Sequence, residues 1–395
     1  MSRLLAYVGR NHIGDFSGGG IDVFEVSRDG TKITPLEGGS KDNPKRAGFL
    51  AYAPKSGTLY SVDERKTDGR GPKRPSSTIM SFKVDQQTGA LTFLNSQTAL
   101  GANPASVCVG PEEKYLFTAN HGFFEHVIKV VETEDGTWVN TFLYDDSTVV
   151  QYPLSADGSI GEATDVHVLT GHGNDPNSSP QGGGHAQASP HSHIVVVDHS
   201  GKYLIVCEKA GERIYVYRLG GDKLVLASLY QCPMGTGPRH AVFDKNTGRM
   251  FMTCEFSDEI WSFDFDAETG VLKYIDRQST LHGFTGRNEP ATIQILPNGK
   301  FVYMNNRGED DIVWFAISED GHLERRGKVD VSKCPNDPAN ATRCMTLSPD
   351  GSFLMVPDRP ADVLRTFAVD YETGNLTELA QLPVQNPVFI QFVEL

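Results

Sequence analysis

Short segments of alternating hydrophobic and polar residues fill the chain from end to end. The segment "PRHAVFDKNTGRMFMTCE", which begins at Pro238, contains an apolar strand, a glycine-centred turn and a second apolar strand. This period-two alternation predicts a β-hairpin. A second alternating pair, "EIWSFDFDAETGVLKYI", follows it directly. Because no long segment has the 3.6-residue period of a helix, we expect an all-β protein.

The first hairpin recurs along the chain, mostly at intervals of ~45–55 residues, and this is the range of four-stranded propeller blades. Further alternating strands follow the copies and raise the count to four strands per repeat. The long gap between the second and third copies predicts a flexible insertion around residues 122–190, where residues 170–190 are rich in Gly, Ser and Asn. The copies begin at Gly48, Pro104, Ser192, Pro238, Pro290 and Thr342.

The two ends of the chain complete one more repeat. The C-terminal "NPVFIQFVEL" is a lone first strand, and the N-terminal "SRLLAYVGR" is a lone second strand. Joined, they predict a seven-bladed β-propeller with four antiparallel strands per blade, a single domain over residues 1–395. Such closure removes exposed sheet edges. Two β-sandwiches are the alternative, but they do not explain the regular repeat.

Polar residues collect at one end of every predicted blade. The turn of each first hairpin lies at one end of the blade, so both hairpin termini meet at the other end, around a central channel. For some of these residues, Asn306 among them, a structural role in capping loops is as good an explanation as a role in a ligand-binding site. The ring of hairpin ends includes Glu64, His121, His193, Glu208, Arg239, Glu255, Asn306, Arg307 and Arg343.

Composition narrows the choice of partner and compartment. A net charge of -14 argues against nucleic acid and against an anionic membrane surface. No apolar run approaches the ~18–20 residues of a membrane span, and the first residues lack the apolar region of a secretory signal. The six cysteines have no metal-ligand spacing, so we expect free buried thiols and a cytoplasmic protein.

Several arginines around one mouth predict an anionic ligand, since guanidinium groups bind carboxylate or phosphate in bidentate fashion. His185, His191 and His193 raise the question of a metal, but the sequence contains no tight cluster of further ligands, so we predict neither metal nor cofactor. The arginines placed near the mouth are Arg10, Arg65, Arg239, Arg287, Arg307 and Arg343.

With these segments placed, the chain resembles the seven-bladed propeller lactonase family. Bacterial 6-phosphogluconolactonase typifies that family, and it includes the fungal 3-carboxy-cis,cis-muconate lactonizing enzyme. The segments that carry the resemblance include "PHSHIVVVDHSGKYLIVCEKAGERIYVY", "GTGPRHAVFDKNTGRMFMTCE" and "PATIQILPNGKFVYMNNRGEDDIVWF".

The resemblance implies a set of site residues. In the muconate enzyme a His, an Arg, a Glu and a further Arg occupy hairpin ends, and the matching positions here are expected to be catalytic. The matching catalytic positions are His193, Arg239, Glu255 and Arg307. The residues expected to bind substrate are Arg343, Glu208, His191, Asn306, Glu64, Arg287 and His121.

The predicted function is hydrolysis of the ester of an acidic, phosphorylated or carboxylated sugar lactone, with His193 or Glu255 as the base. A lactonizing cycloisomerase of a carboxymuconate-type substrate is the first alternative. A non-catalytic propeller that binds a protein is the second, and it predicts exposed aromatic residues at the mouth, such as Phe123 and Phe124. We expect an enzyme of carbohydrate metabolism that acts on a small anionic molecule as a monomer or weak homo-oligomer.

Overall fold

The innermost strands of seven antiparallel sheets form a closed ring. A computed structural model describes residues 2–13, 17–66, 77–178, 184–334 and 337–395. In this part of the chain each of the seven sheets has four strands, and each innermost strand contacts the next blade. The predicted all-β, seven-bladed propeller is therefore confirmed.

The strands are numbered along the chain. The first three are β1 (Leu4–Ile13), β2 (Ser17–Val26) and β3 (Ile33–Pro35). Blade one contains β4 (Leu50–Ala53), β5 (Thr58–Val62), β6 (Thr78–Val84) and β7 (Leu91–Thr98). Blade two begins with β8 (Pro104–Val109) and β9 (Tyr115–Asn120). A separate hairpin follows, formed by β10 (His126–Glu132) and β11 (Trp138–Tyr144). Blade two ends with β12 (Thr148–Pro153) and β13 (Asp165–Val168).

The later blades are continuous in sequence. Blade three contains β14 (Ser192–Val197), β15 (Tyr203–Glu208), β16 (Arg213–Arg218) and β17 (Val225–Gln231). Blade four contains β18 (Pro238–Phe243), β19 (Met250–Cys254), β20 (Glu259–Asp266) and β21 (Val271–Ser279). Blade five contains β22 (Glu289–Ile295), β23 (Phe301–Arg307), β24 (Asp311–Ile317) and β25 (Leu323–Asp330). Blade six contains β26 (Thr346–Leu347), β27 (Phe353–Asp358), β28 (Val363–Val369) and β29 (Leu376–Pro383). The last strand is β30 (Pro387–Glu394), and short 3₁₀ turns lie at Pro111–Glu113 and Arg359–Ala361.

The two ends of the chain close the ring, as the sequence predicts. Strand β30 pairs antiparallel with β1, with Leu4 opposite Glu394 and Arg10 opposite Pro387. Blade seven therefore has the strand order β3-β2-β1-β30.

Apolar side chains fill the spaces between neighbouring blades. One cluster joins Phe251 of blade four, Phe315 of blade five and Leu354 of blade six, all without exposed surface. Burying one such side chain stabilises the fold by about 1.5–3 kcal/mol. The ring is therefore held together by contacts between each blade and the next.

A β-bulge near the mouth end of several innermost strands turns one residue out of the ladder. In β18 the pairing passes from Pro238–Cys254 to His240–Thr253, and Arg239 is left without a cross-strand partner. The same step leaves out His193 in β14 and Ala105 in β8. A bulge re-aims the extra side chain. Here Ala105, His193 and Arg239 all line the central cavity.

The region predicted as an insertion, residues 122–190, is not one continuous loop. It contains the outer strands β12 and β13 of blade two as well as the extra hairpin β10–β11. Of the glycine-rich tract, residues 179–183 lie outside the described residues, whereas Gly184, His185 and Ala186 line the central cavity. In the part of the chain that the structure describes, no helix has the length and apolar character needed to cross a membrane.

Candidate active site

A cavity of about 480 Å³ lies at the mouth of the channel, where the hairpin ends of all the blades meet. We call it the mouth cavity. Among the described residues, its lining has seven cationic side chains against four carboxylates, although the chain as a whole carries a net charge of -14. The cations are Arg46, Lys209, Arg239, Arg287, Arg307, Arg343 and Arg359, and the carboxylates are Glu64, Glu255, Glu289 and Asp337.

Glu255 binds three cations from three blades. Its Oε1 accepts a hydrogen bond of 2.7 Å from Nζ of Lys209. Its Oε2 lies 2.6 Å from Nε of Arg239 and 3.1 Å from Nη2 of Arg307. All four side chains are at most 9% exposed. Lys209 directly follows β15 and Glu255 directly follows β19, so the equivalent ends of two hairpins bring the pair together.

These cations determine the protonation state of Glu255. Burial by itself would raise the pKa of this carboxyl, but the charges of its neighbours outweigh burial, with Lys209 the largest contributor. The pKa of Glu255 therefore lies well below its usual 4.5. At neutral pH Glu255 is a carboxylate that is held by cations and is a weak proton acceptor.

Among the residues that the structure describes, Arg239 is the largest fully buried side chain, with 2% of its surface exposed. Its Nη1 is buried and has no hydrogen-bond partner among the described residues. Burial, followed by the neighbouring charge of Arg307, lowers the pKa of Arg239 to about 9, so the group remains charged at neutral pH. A buried cationic donor without a partner is costly, and it fits a site whose occupant accepts that hydrogen bond.

Glu289, which the sequence did not single out, is a second carboxylate at the same nitrogen of Arg307 that contacts Glu255. Oε2 of Glu289 lies 2.9 Å from Nη2 of Arg307, and Oε1 accepts a hydrogen bond of 2.6 Å from Nη2 of Arg287. Glu289 opens β22 and directly precedes Pro290, where the sequence repeat begins. A repeat boundary set one residue earlier would have included it.

A second group of cations lines the part of the cavity formed by blades six and one. Nη2 of Arg343 donates a hydrogen bond of 2.8 Å to Oε1 of Glu64. Arg46 and Arg359 also line the cavity, and neither was singled out from the sequence. Arg359 directly follows Asp358 at the end of β27, the same repeat position that Lys209 has in blade three, so the repeat contained the signal. Arg46 lies in the loop before β4, where no repeat marks it.

Three buried histidines form a chain of rings beside Arg239. Nδ1 of His193 and Nε2 of His240 are joined by a hydrogen bond of 3.2 Å. The ring of His121 meets that of His193 edge to face, with centroids 5.8 Å apart. Burial lowers the pKa of all three groups well below 6.5, and the charge of Arg239 contributes at His193 and His240. His193 is therefore a neutral imidazole at neutral pH, and its Nε2 is the ring nitrogen not engaged by His240.

The structure brings most of the predicted site residues together. The mouth cavity is lined by His193, Arg239, Glu255, Arg307, Arg343, Glu64, Arg287 and His121.

Three predicted substrate-binding residues do not line the cavity. Glu208 has no exposed surface, and its Oε1 accepts hydrogen bonds from the backbone of His191 and Ala210, so it braces the loop after β15. Asn306 donates to Asp311 and to the backbone of Thr280, which is a loop-capping role.

His191 lies behind His121. The two rings stack with centroids 4.3 Å apart, and Nδ1 of His191 contacts the backbone oxygen of His121 at 2.8 Å.

Two arginines that the sequence placed near the mouth also lie outside the cavity lining. Arg10 forms an ion pair of 2.9 Å with Asp22, and Arg65 pairs with Asp63. Each pair lies within a single blade: Arg10 and Asp22 join the neighbouring strands β1 and β2, and Asp63 and Arg65 both follow β5. Within the described ranges, no group of three or more His, Cys, Asp or Glu side chains could hold a metal ion.

Comparison with known proteins agrees with this architecture. The chain is similar to 6-phosphogluconolactonase of Bacillus subtilis (strain 168), with 25% identity over 397 residues that cover 100% of this chain and 99% of that protein. It is 26% identical over 379 residues to 6-phosphogluconolactonase of Formosa agariphila, covering 93% of this chain and 94% of the relative.

The periplasmic gluconolactonase of Pseudomonas aeruginosa has a similar solved structure. The TM-score is 0.80 at 25% identity, with 99% of both chains covered. The sequence profile described as "Lactonase, 7-bladed beta-propeller" matches residues 6–392. The chain belongs to the seven-bladed β-propeller lactonase family.

Proposed function

We propose that the chain is a lactonase that hydrolyses the ring ester of an acidic sugar lactone, the acid group being a phosphate or a carboxylate. One observation carries the proposal: the neutral imidazole of His193 and the unpartnered Nη1 of Arg239 lie together in a cavity rich in cations. The activities named for the relatives, 6-phosphogluconolactonase and gluconolactonase, support the same class of reaction.

His193 is the proposed base. Because its pKa lies well below 6.5, the ring is neutral and has a free lone pair at neutral pH. In the proposed tautomer Nδ1–H of His193 donates to Nε2 of His240, so the lone pair is on Nε2 of His193, and this nitrogen receives the proton of the attacking water. Glu255 is a poor candidate for this role, since its carboxylate is already bound by three cations. We assign Glu255 the task of holding those cations in place.

Arg239 and Arg307 are the proposed electrophilic groups. Water adds to the carbonyl carbon, and negative charge develops on the carbonyl oxygen, where a buried guanidinium stabilises it most strongly. The intermediate then collapses, and the bond between the carbonyl carbon and the ring oxygen breaks. The proton held by His193 passes to that oxygen, and the product is an open-chain hydroxy acid.

The cations of blades six and one are proposed to hold the acid group of the substrate. Arg46, Arg343 and Arg359 line that part of the cavity, and they come from other blades than the bulged residues His193 and Arg239. A substrate with one ester and one distal anion would then lie across the mouth, with its ester over blades three to five.

The experiment is a pH-stat screen of purified protein against neutral aldonolactones, phosphorylated and carboxylated aldonolactones, and carboxymuconates. The expected result is acid release from an acidic lactone, with kcat/KM at least about tenfold above that of its neutral counterpart, since a hydrogen bond to a charged group contributes about 1.5–3 kcal/mol. The His193→Ala variant should lose about 10²–10⁴-fold in kcat. Arg343→Ala should chiefly raise KM for the acidic lactone.

Other outcomes have definite meanings. Cyclisation of a muconate with no lactone hydrolysis would replace the proposal with the cycloisomerase alternative. Hydrolysis that survives His193→Ala undiminished would remove His193 as the base. A wild-type protein that turns over none of these compounds while remaining folded would overturn the proposed activity altogether.

A further inference from the structure

A second cavity, of about 550 Å³, adjoins the mouth cavity. Phe124 and Ala186 line both of them. We call the second one the aromatic pocket, because five of the twelve described residues that line it carry aromatic rings. These twelve residues are Phe124, Glu125, His126, Phe142, Tyr144, Pro176, Asn177, Ser178, Ala186, Ala188, Ser189 and His191.

Phe124 connects the aromatic pocket to the cations of the mouth cavity. The centroid of its ring lies 5.8 Å from Nζ of Lys209, the amine that binds Glu255. The same ring meets that of His191, in the aromatic pocket, with centroids 5.3 Å apart. The two cavities are therefore separated by about the width of one aromatic ring at this point, a distance that a single small molecule can span.

One wall of the aromatic pocket is the base of the hairpin β10–β11. His126 and Tyr144 pair directly across the two strands, and Phe142 lies two residues from Tyr144, so all three side chains lie on one face of the hairpin. The ring of His126 contacts those of Phe142 and Tyr144, with centroids 5.0 and 5.3 Å away. Phe142 is nevertheless 51% exposed, so its ring offers uncovered aromatic surface to a ligand.

Another wall is formed by the segment that leads into β14, and hydrogen bonds tie this segment to the turn between β15 and β16. Nε2 of Gln187 donates a hydrogen bond of 3.2 Å to the backbone oxygen of Ala210. Nδ2 of Asn174 donates to Oε2 of Glu212 over 2.6 Å. The pocket is therefore largely formed without a ligand, as binding sites for small molecules usually are.

Ser189 is a buried polar group of the pocket without a partner. It is 7% exposed, and its Oγ is buried and has no hydrogen-bond partner among the described residues. An unpaired buried hydroxyl costs free energy. Ser189 therefore indicates a ligand with hydrogen-bonding groups and not a purely apolar one.

His191 adds an acceptor to the same pocket. Its Nδ1 lies 2.8 Å from the backbone oxygen of His121, and a carbonyl oxygen only accepts, so Nδ1 carries a proton. Burial lowers the pKa of His191 to about 4, so the ring is neutral at neutral pH. The lone pair is then on Nε2, which accepts a hydrogen bond from an O–H group.

The aromatic pocket differs from the mouth cavity in charge. Among the described residues its lining has no lysine or arginine and one carboxylate, Glu125, whereas the mouth cavity has seven cations. An anionic group therefore binds at the mouth and not in the aromatic pocket. Aromatic rings together with hydrogen-bond acceptors fit a ring that carries several hydroxyls. Its C–H groups contact the negative ring faces, and its O–H groups donate to the acceptors.

We propose that the aromatic pocket is a subsite for an uncharged sugar ring that is joined to the lactone by a glycosidic bond. The inference rests on the proposed function, because it makes the lactone the end unit of a longer sugar chain. The lactone and its acid group lie among the cations of the mouth cavity. The second ring lies past Phe124, against Phe142 and Tyr144.

The first test measures binding without turnover. Aldobionates such as lactobionate and maltobionate carry one carboxylate and one neutral sugar ring, whereas gluconate lacks the second ring. In calorimetric titrations the wild-type protein should bind an aldobionate at least about tenfold more tightly than gluconate, as one or two additional hydrogen bonds provide. Equal affinities for gluconate and for both aldobionates overturn the proposal. So does the absence of binding for all three at millimolar concentrations.

The second test uses matched variants. Phe142→Ala removes the exposed ring and should bring the ratio of the aldobionate and gluconate affinities close to one. Phe93→Ala is the control, because Phe93 is 53% exposed on β7 and lines neither cavity. A ratio that Phe142→Ala leaves unchanged, or that both variants lower equally, contradicts the assignment of the pocket.

Ser189→Ala separates a role in binding from a role in the fold. The variant should lower the affinity for the aldobionate by about threefold to tenfold, the effect of one hydrogen bond. The midpoint of thermal unfolding of the free protein should not fall, since Oγ has no partner among the described residues. A lower midpoint with an unchanged affinity would show that Ser189 serves the fold and not the subsite.

Choline is the competing probe, because aromatic rings beside a carboxylate also suit a quaternary ammonium group. Choline that binds the wild-type protein more tightly than the aldobionate does, and that no longer binds Phe142→Ala, would make the pocket a cation site and overturn the proposal.

The outcomes also separate this inference from the proposed function. Aldobionates are open-chain products, so their binding is measurable in a protein that hydrolyses no lactone. Tight aldobionate binding without hydrolysis of any lactone would keep the sugar-ring site and remove the activity. Hydrolysis with equal kcat/KM for an aldonolactone and its glycosylated counterpart would keep the activity and remove the subsite.

Discussion

Single buried residues set the chemistry of the mouth cavity. His193 and His240 share a hydrogen bond of 3.2 Å, and both are less than a tenth exposed. His193 lines the cavity, whereas His240 does not. His240 therefore acts on a ligand only through His193, by fixing the orientation and the tautomer of that ring.

We predict that His240→Phe lowers kcat for the proposed lactone by roughly tenfold to a hundredfold, because the loss of one buried hydrogen bond leaves His193 free to turn. KM should change little, since His240 touches no ligand. Steady-state kinetics and thermal unfolding check this together. His240→Asn, which keeps a polar partner, should restore part of kcat. A variant whose KM rises while kcat stays constant would contradict a positioning role.

At the scale of the strand, close backbone approach limits which residues the mouth tolerates. Gly9 in β1 faces the loop before β4, and a Cβ at this position would lie 2.0 Å from the backbone oxygen of Ala47. A backbone atom cannot move aside as a flexible side chain can. The loop that carries Arg46 therefore depends on the absence of a side chain at Gly9.

We predict that Gly9→Ala destabilises the protein by about 2–3 kcal/mol, because β1 and the Ala47 backbone must separate. The measurement is the midpoint of thermal or urea unfolding. Gly221→Ala is the matched control, since nothing lies within 4 Å of a Cβ built there. Equal midpoints for the two variants would show that the close approach at Gly9 is not a constraint.

At the scale of the whole molecule, buried neutral histidines link folding to pH. The unfolded chain binds a proton on each histidine near pH 6.5. In the folded protein burial lowers the pKa of His191 to about 4, and it lowers those of His121, His193 and His240 well below 6.5. Below pH 6.5 the unfolded state therefore binds more protons than the folded state.

We predict that the contribution of these neutral histidines to the free energy of unfolding is complete above pH 6.5. It is lost progressively as the pH falls from 6.5 towards about 4. Each histidine contributes a slope of about 1.4 kcal/mol per pH unit while it is charged only in the unfolded state. Thermal unfolding measured between pH 7.5 and 4 checks the direction. The His240→Phe variant should show a shallower decline than the wild type. A midpoint that rises on acidification through this window would contradict the prediction.

The hydrophobic alternation and its repeat were enough to predict the seven-bladed propeller, because the four strands and the turns of each blade follow from local sequence patterns. The same repeat predicted that β30 closes the ring with β1 and that His193, Arg239, Glu255 and Arg307 share one mouth. Only the tertiary structure decided which polar strand ends reach the cavity.

Sequence position does not decide which polar strand ends reach the cavity. The direction of each side chain is set by a bulge, a loop or a neighbouring blade. Bulges turn His193 and Arg239 into the channel, whereas backbone hydrogen bonds hold Glu208 away from it. The sequence alone could not predict the protonation states of His193 and Glu255 either. These states depend on burial and on charged side chains that blades far apart in sequence bring within a few ångströms.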